Sequence, residues 1–307
     1  MTHRARFSRA KLGESMKQGR SSKTAEYVCM GRALAHGRLA PERFDDPTAL
    51  ALLPDEVQRQ VQRERAGSEP RSLRERLARE YHRTQAMMMV PRTVAIDDAI
   101  RAAASPQLVI LGAGLDGRAW RMPELRNVSV FEVDHPDSQR EKRERAKRLA
   151  PVSCDIRFVP VDFERDALAG ALAAAGHDET RPTTWVWEGV VMYLSRNDIE
   201  ATLAVVERRS APGSRLVVVY HVPALILKAV GLLLRRLGEP LRSAMKPQQM
   251  RALLLKYGFS VLADHDLPSI GLTLSPEIGR AAERVRHMHL VTAERSTSFA
   301  RPDSPPR

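Results

Sequence analysis

Cysteine is nearly absent: Cys29 and Cys154 are the only two in 307 residues. They supply neither a disulfide framework nor a metal-ligand spacing, and they fit a reducing cytosol. Aromatic residues are scarce, at 5%. No basic stretch carries the interleaved aromatics on which single-stranded bases stack, so no nucleic-acid partner is expected. A long hydrophobic run is missing as well. The longest, VPALILKAVGLLL at 222–234, is broken by Lys228 and followed by Arg235 and Arg236. It is too short to span a bilayer. The basic start, MTHRARFSRAKLGESMK, lacks the apolar core of a secretory signal. Together these absences predict a cytoplasmic protein with no transmembrane segment.

What is present suffices for a packed core: 43% of residues are hydrophobic and 28% charged. The length fits one large domain or two modest ones. The net charge is +12, and residues 1–92 hold nineteen basic against eleven acidic side chains. Two readings stand: attraction to an anion, such as a carboxylate substrate, or a solvated arginine-rich surface.

Residues 1–20 and the Ser/Pro/Arg-rich tail 295–307 read as frayed ends. Between them, 21–294 read as a single domain whose first part, 21–104, is a helical annex. KTAEYVCMGRALAHG sets Ala25, Val28, Cys29, Arg32 and Ala33 at helical spacing and stops at Gly37. SLRERLAREYHRTQAMMMV, with Leu73, Leu77 and Tyr81 on one face, predicts a second helix, and RTVAIDDAIRAAA a third. From 105 the pattern alternates. QLVILG, VSVFEVD, IRFVPVD, TTWVWEG and RLVVVYH are short apolar strands. PDSQREKRERAKRLA, ERDALAGALAAAG and SRNDIEATLAVVERRS are helices between them. KPQQMRALLLKYG adds a helix, FSVLAD a sixth strand and RHMHLVTA a seventh. The pattern predicts an α/β fold: a doubly wound, seven-stranded, mostly parallel Rossmann-like sheet. Residues 222–245, apolar with basic edges, interrupt it after the fifth strand and read as a substrate-facing helical lid, with a buried core helix or an oligomer contact as the alternatives.

Ligands of such sheets bind beyond the carboxyl ends of the strands. After the first strand, Gly112, Gly114 and Gly117 spell G-x-G-x-x-G. This turn suits a hydride carrier, a methyl donor, or no ligand at all. Glycine lets backbone approach a ligand closely. Asp134, about twenty residues further on, suits a ribose diol or a helix cap before Pro136. Asp162, with Phe163 beside it, suits an adenine amine and ring, or again a helix start. Glu188 ends an apolar strand, where a lone buried charge is expensive. It therefore faces a cleft holding a cationic group, such as a sulfonium with its amino-acid portion, or a structural arginine. His221 ends the fifth strand as a candidate base or a packed histidine.

These blocks converge on a resemblance. SSKTAEYVCMGRAL, PRTVAIDDAI, LVILGAGLDGRAWRM, VFEVDHPDSQREKR, VPVDFE, WVWEGVVMYLSRNDIEATL, SAPGSRLVVVY and HLVTAERS occur in this order over most of the chain. The chain resembles the leucine carboxyl methyltransferase family of class I S-adenosylmethionine-dependent methyltransferases, especially bacterial members of secondary metabolism. The resemblance implies that Gly112 and Gly114 line the methyl donor, and that Asp134 holds its ribose. It implies Asp162 and Phe163 at the adenine, and Glu188 near the sulfonium. Arg92, in the PRT block, would reach the donor's carboxylate from the annex, a task suited to a two-pronged guanidinium. Lys23 is the nearest match to a lysine that some members use. Gly117 falls where the family usually carries threonine, which makes the third glycine of the spelling accidental.

No metal is implied. The expected acceptor is a small hydrophobic carboxylic acid. It is already anionic, so alignment suffices and no triad is needed. A hydroxyl acceptor would need a base, for which His221 is the candidate. Two other classes stay open: an NAD-dependent oxidoreductase, opposed by the Asp162 and Glu188 blocks, and a non-catalytic donor-binding or basic interaction protein.

Overall fold

Seven short runs of apolar sequence build one sheet in the computed structural model, which describes residues 23–67, 70, 72–162, 167–225, 227 and 241–296. The expectations for 1–20, for Phe163, for most of the 222–245 insertion and for the tail beyond 296 fall outside these residues. The strands are β1 Gln107–Leu111, β2 Ser129–Asp134, β3 Asp155–Pro160, β4 Thr183–Trp187, β5 Arg215–His221, β6 Phe259–Asp266 and β7 Met288–Arg295. Their order is β3-β2-β1-β4-β5-β7-β6. The first five are parallel to one another. β7 runs antiparallel to both β5 and β6. It extends to Arg295, where the backbone N–H donates to Ser214 O (2.8 Å).

The helices are α1 Lys23–Ala35, α2 Ala49–Leu52, α3 Asp55–Arg65, α4 Leu73–Ala103, α5 Arg118–Arg121, α6 Pro136–Ala146, α7 Leu168–Ala174, α8 Arg196–Arg208, α9 Pro247–Lys256, α10 Leu267–Leu272 and α11 Pro276–Ala282. Every residue of β1 and β4 is buried. Sheets covered on both faces read as continuous apolar runs for this reason. One face carries Ile110, Val186 and Val219 and shares an apolar cluster with Cys29, Ile96 and Ile100 of the annex. The other carries Leu111, Trp187 and Tyr220 and packs on Leu203 of α8 and Leu253 of α9.

Four details differ from the sequence reading. The predicted second and third helices are one 31-residue helix, α4, that runs through Pro91. Proline normally breaks a helix interior. Here Val90, Pro91 and Arg92 are all buried, so packing holds the axis through the missing donor. The stripe Leu73, Leu77 and Tyr81 does share a face, but that face looks outward, with exposures of 73%, 64% and 56%. α4 is steadily buried only from Thr84, where α1 lies against it.

The pair α10 and α11 was not anticipated. Each is capped by a side chain, Asp266 accepting from Ser269 N (2.9 Å) and Ser275 from Ile278 N (3.1 Å). They meet through glycines: a Cβ on Gly271 would lie 3.0 Å from Gly279 Cα. Small residues at that contact erase the apolar period by which helices are read.

The described end of the insertion, 241–245, has no regular structure and is tied across two strand ends. Arg242 N donates to Met192 O (2.8 Å) and Met245 N to His221 O (2.9 Å). Among the described residues, no helix is long and apolar enough to cross a membrane.

Candidate functional site

The strand order reverses between β1 and β4, whose ends lie side by side with Leu111 opposite Trp187. Glu188 follows β4 directly, and its side chain is 11% exposed. It is met from two sides. Arg92 Nε of α4 lies 2.7 Å from Oε1, and Arg118 Nη1 of α5 lies 3.2 Å from Oε2. Burial resists ionisation of Glu188, but the Arg92 and Arg118 charges outweigh it and hold the carboxyl below its ordinary range. Burial pulls the Arg92 guanidinium the other way, below its usual value.

The pairing continues inward. Arg118 also binds Asp97 (Nε to Oδ1, 2.7 Å) and Asp116. Arg121 binds Asp97 (2.7 Å) and approaches Asp46 (3.7 Å), while Arg32 binds Asp46 (2.9 Å). Four arginines (32, 92, 118, 121) thus face four carboxylates (46, 97, 116, 188) with no net charge. Lone buried charges are penalised by several kcal/mol each, so the balance is what permits their burial. Burial opposes ionisation of Asp116 too, yet Arg118, Lys142 and Arg32 lower it to about 2. Arg32, Asp46, Arg92 and Asp97 come from the annex and the other four from the connections that follow β1 and β4, so the network sets the register of one on the other. The sequence reading named Arg92 and allowed Glu188 an arginine partner, but it missed Arg118 and the carboxylates behind it. Its signals were the D-x-R inside GAGLDGR and an arginine, Arg32, on an otherwise apolar helix face.

The glycine loop is held by protein contacts. Gly112 has φ +72°, and a Cβ there would lie 2.2 Å from Val190 Cγ2 in the loop after β4. Gly112 therefore has a packing reason to be glycine in addition to any close approach by a ligand. Gly114 N donates to Asp134 Oδ2 (2.5 Å) and His135 N to Oδ1 (2.6 Å). Burial raises the Asp134 carboxyl against those bonds. Each oxygen keeps a lone pair for a further donor. Gly117 has an ordinary φ of −109°. A Cβ there would lie 2.0 Å from Thr48 Oγ1, a hydroxyl that donates to Asp46 Oδ1 (2.7 Å). The third glycine makes room for an annex side chain.

Asp162 stands half-buried just past β3, beside the end of β2, where Asp134 is in register with Pro160. Lys23 is exposed at the start of α1, whose first turn lies over the glycine loop: Ala25 Cβ is 3.2 Å from where a Gly114 Cβ would be. His221 ends β5 and is 7% exposed. Its ring lies 5.3 Å from that of His287. Burial, then His287, then Arg92 push its imidazole down to about 3. Strand alternation places Glu188 and His221 on the annex side of the sheet. Arg92, Glu188 and His221 thus gather at the ends of β4 and β5, and Gly112, Gly114, Asp134 and Asp162 at the ends of β1 to β3.

Comparison with known proteins gives the family. A family model described as leucine carboxyl methyltransferase matches residues 25–207. A protein of Mycolicibacterium gilvum, provisionally named an S-adenosyl-L-methionine-dependent methyltransferase, is 41% identical over 189 residues, which is 60% of this chain and 61% of that protein. A similarly named protein of Frankia alni is 37% identical over 201 residues, 63% of this chain and 66% of that one. The chain thus spans under two thirds of the length of either relative. A solved structure from Thermobifida fusca, provisionally described as a methyltransferase, shares the fold at 11% identity. Its TM-score is 0.55 over 92% of this chain and 97% of that one. The family match runs from the first turn of α1 through the glycine loop and the ends of β1 to β4 into α8, more than half of the sequence, and the chain belongs to the leucine carboxyl methyltransferase family.

Proposed function

We propose that this chain is an S-adenosylmethionine-dependent methyltransferase and that it methylates the carboxylate of a small hydrophobic metabolite. The observation that carries the first part is the Arg92–Glu188 pair at the end of β4. A guanidinium and a carboxylate held side by side offer one partner to each end of a zwitterionic amino-acid group. Gly189 follows, with nothing within 4 Å of where its Cβ would be. At the far side of the glycine loop, Asp134 retains acceptor capacity for a diol. When bound, S-adenosylmethionine supplies an electrophilic methyl group on a sulfonium. The chain's share is to align donor and acceptor and to exclude water.

The carboxylate part rests on His221. A hydroxyl acceptor needs a base near neutrality, and a buried imidazole at about 3 is a poor one. A carboxylate needs none. The same reading makes the protein a cytoplasmic enzyme of secondary metabolism, in keeping with its free cysteines, Cys29 buried and Cys154 exposed.

Titration calorimetry with S-adenosylmethionine and with NAD tests the donor assignment. Saturable binding of the first and none of the second is expected. The reverse would return the chain to the oxidoreductase reading.

A further inference from the structure

We infer that His221 orients the methyl acceptor by donating a hydrogen bond from Nδ1 to an oxygen of the acceptor's carboxyl group. This rests on the carboxyl-methylating reading above, and gives His221 a different task from the base that a hydroxyl acceptor would require.

The geometry carries it. His221 is the last residue of β5, next to β4 and on the annex side where Arg92 pairs with Glu188. Its Nδ1 is buried and has no hydrogen-bond partner among the described residues. Buried polar atoms are nearly always paired, so an exception calls for an explanation. Two other deeply placed histidines, His177 and His289, obey the rule. His177 Nε2 contacts Thr183 Oγ1 (3.1 Å), and its Nδ1 accepts from Arg209 Nε (3.2 Å). His289 Nδ1 lies 3.0 Å from Asp264 Oδ1. Of these three, His221 alone has a ring nitrogen that is both buried and without a partner, and it is the one at the candidate site.

The ring is held in place. His221 O accepts from Met245 N (2.9 Å), and the next residue, Val222, donates its N–H to His287 O (2.7 Å). The His287 ring packs against it. The groups facing it are His287 and the Arg92 guanidinium, and with burial they keep the imidazole neutral. A neutral imidazole carries one N–H and one lone pair.

A neutral donor suits the chemistry. As transfer proceeds, an acceptor oxygen forms a bond to the methyl carbon while the carbon–sulfur bond breaks and its electron pair goes to sulfur. The acceptor's negative charge is consumed, and no proton moves. A cation at this position would stabilise the free carboxylate more than the transition state. A neutral N–H fixes orientation with less of that penalty and keeps its proton throughout.

The test compares wild type with His221→Asn, His221→Gln and His221→Ala, using octanoate, dodecanoate and benzoate as acceptors and methyl-labelled donor. The asparagine amide nitrogen sits near the position of Nδ1, whereas glutamine's reaches toward that of Nε2. Donor Kd should stay within about twofold in all variants, which also reports folding. The KM for a methylated probe should rise roughly tenfold or more in His221→Ala and His221→Gln, the loss of one charge-assisted hydrogen bond. His221→Asn should restore it to within about threefold. Equal KM in all four proteins would overturn the inference and leave the proposed function standing. Loss of kcat in His221→Asn as severe as in His221→Ala would overturn it in favour of a base. Wild type that binds donor but methylates none of the three probes would overturn the carboxyl reading and this inference together.

Discussion

Arg92 and Glu188 stand 2.7 Å apart across the join between annex and sheet, each the other's counter-charge in a buried setting. Removing the Glu188 charge leaves Arg92 buried without compensation, which typically destabilises by ~3–5 kcal/mol. Glu188→Gln should lower stability on this scale in urea denaturation. It should also weaken donor binding at least tenfold by calorimetry. A variant of unchanged stability would show that the pair is hydrated or mobile in solution.

Arg92→Lys keeps the charge and loses the planar fork. Donor affinity should still fall, by roughly tenfold, because an ammonium cannot serve a carboxylate and Glu188 with the same geometry. Calorimetry on the folded variant checks this, and wild-type affinity would release Arg92 from the donor site.

Gly117 gives a packing prediction. Gly117→Thr should destabilise by ~1–3 kcal/mol, the usual range for overpacking, because Thr48 Oγ1 already occupies the space. Pairing it with Thr48→Ala should recover at least half of that loss. The urea midpoints of the three variants decide it, and a tolerated single substitution would contradict the contact.

Acid should loosen the fold. Asp46, Asp116 and Glu188 are all depressed. Their contribution is present above the ordinary 3.8 to 4.5 and is lost as pH falls below that range, for Asp116 toward about 2. His177 and His221, depressed to about 4 and about 3, act in the same direction: their contribution is lost as pH falls below 6.5. Glu132, raised to about 7 chiefly by burial, opposes them, its contribution fading as pH rises from 4.5 through about 7. Calorimetric melting temperatures should fall from pH 6.5 to 4 and more steeply below. A rise over that range would mean that Glu132 dominates.

All seven strands were legible, the central parallel ones most clearly because they are apolar throughout. Their ends were legible too. Asp134, Asp162 and Glu188 stand out as charges closing apolar runs, and the structure places each at a strand end. The partners of Glu188 were harder. Asp97 and Arg118 are 21 positions apart in sequence yet 2.7 Å apart in space, and nothing in either local pattern announces the other. Periodicity misled for Leu73, Leu77 and Tyr81, since it reports a shared face without saying what covers it. The glycine spelling carries no record of packing: Gly112 meets Val190 and Gly117 meets Thr48, both side chains from distant segments.

The most direct measurement is mass spectrometry of a hydrophobic carboxylic acid incubated with the protein and trideuteromethyl S-adenosylmethionine. A trideuterated methyl ester that alkali hydrolyses is the expected product, formed at a rate nearly constant between about pH 6.5 and 8.5, since the acceptor is ionised throughout. An alkali-stable trideuterated ether from a hydroxylated acceptor, with turnover lost in His221→Ala, would contradict it.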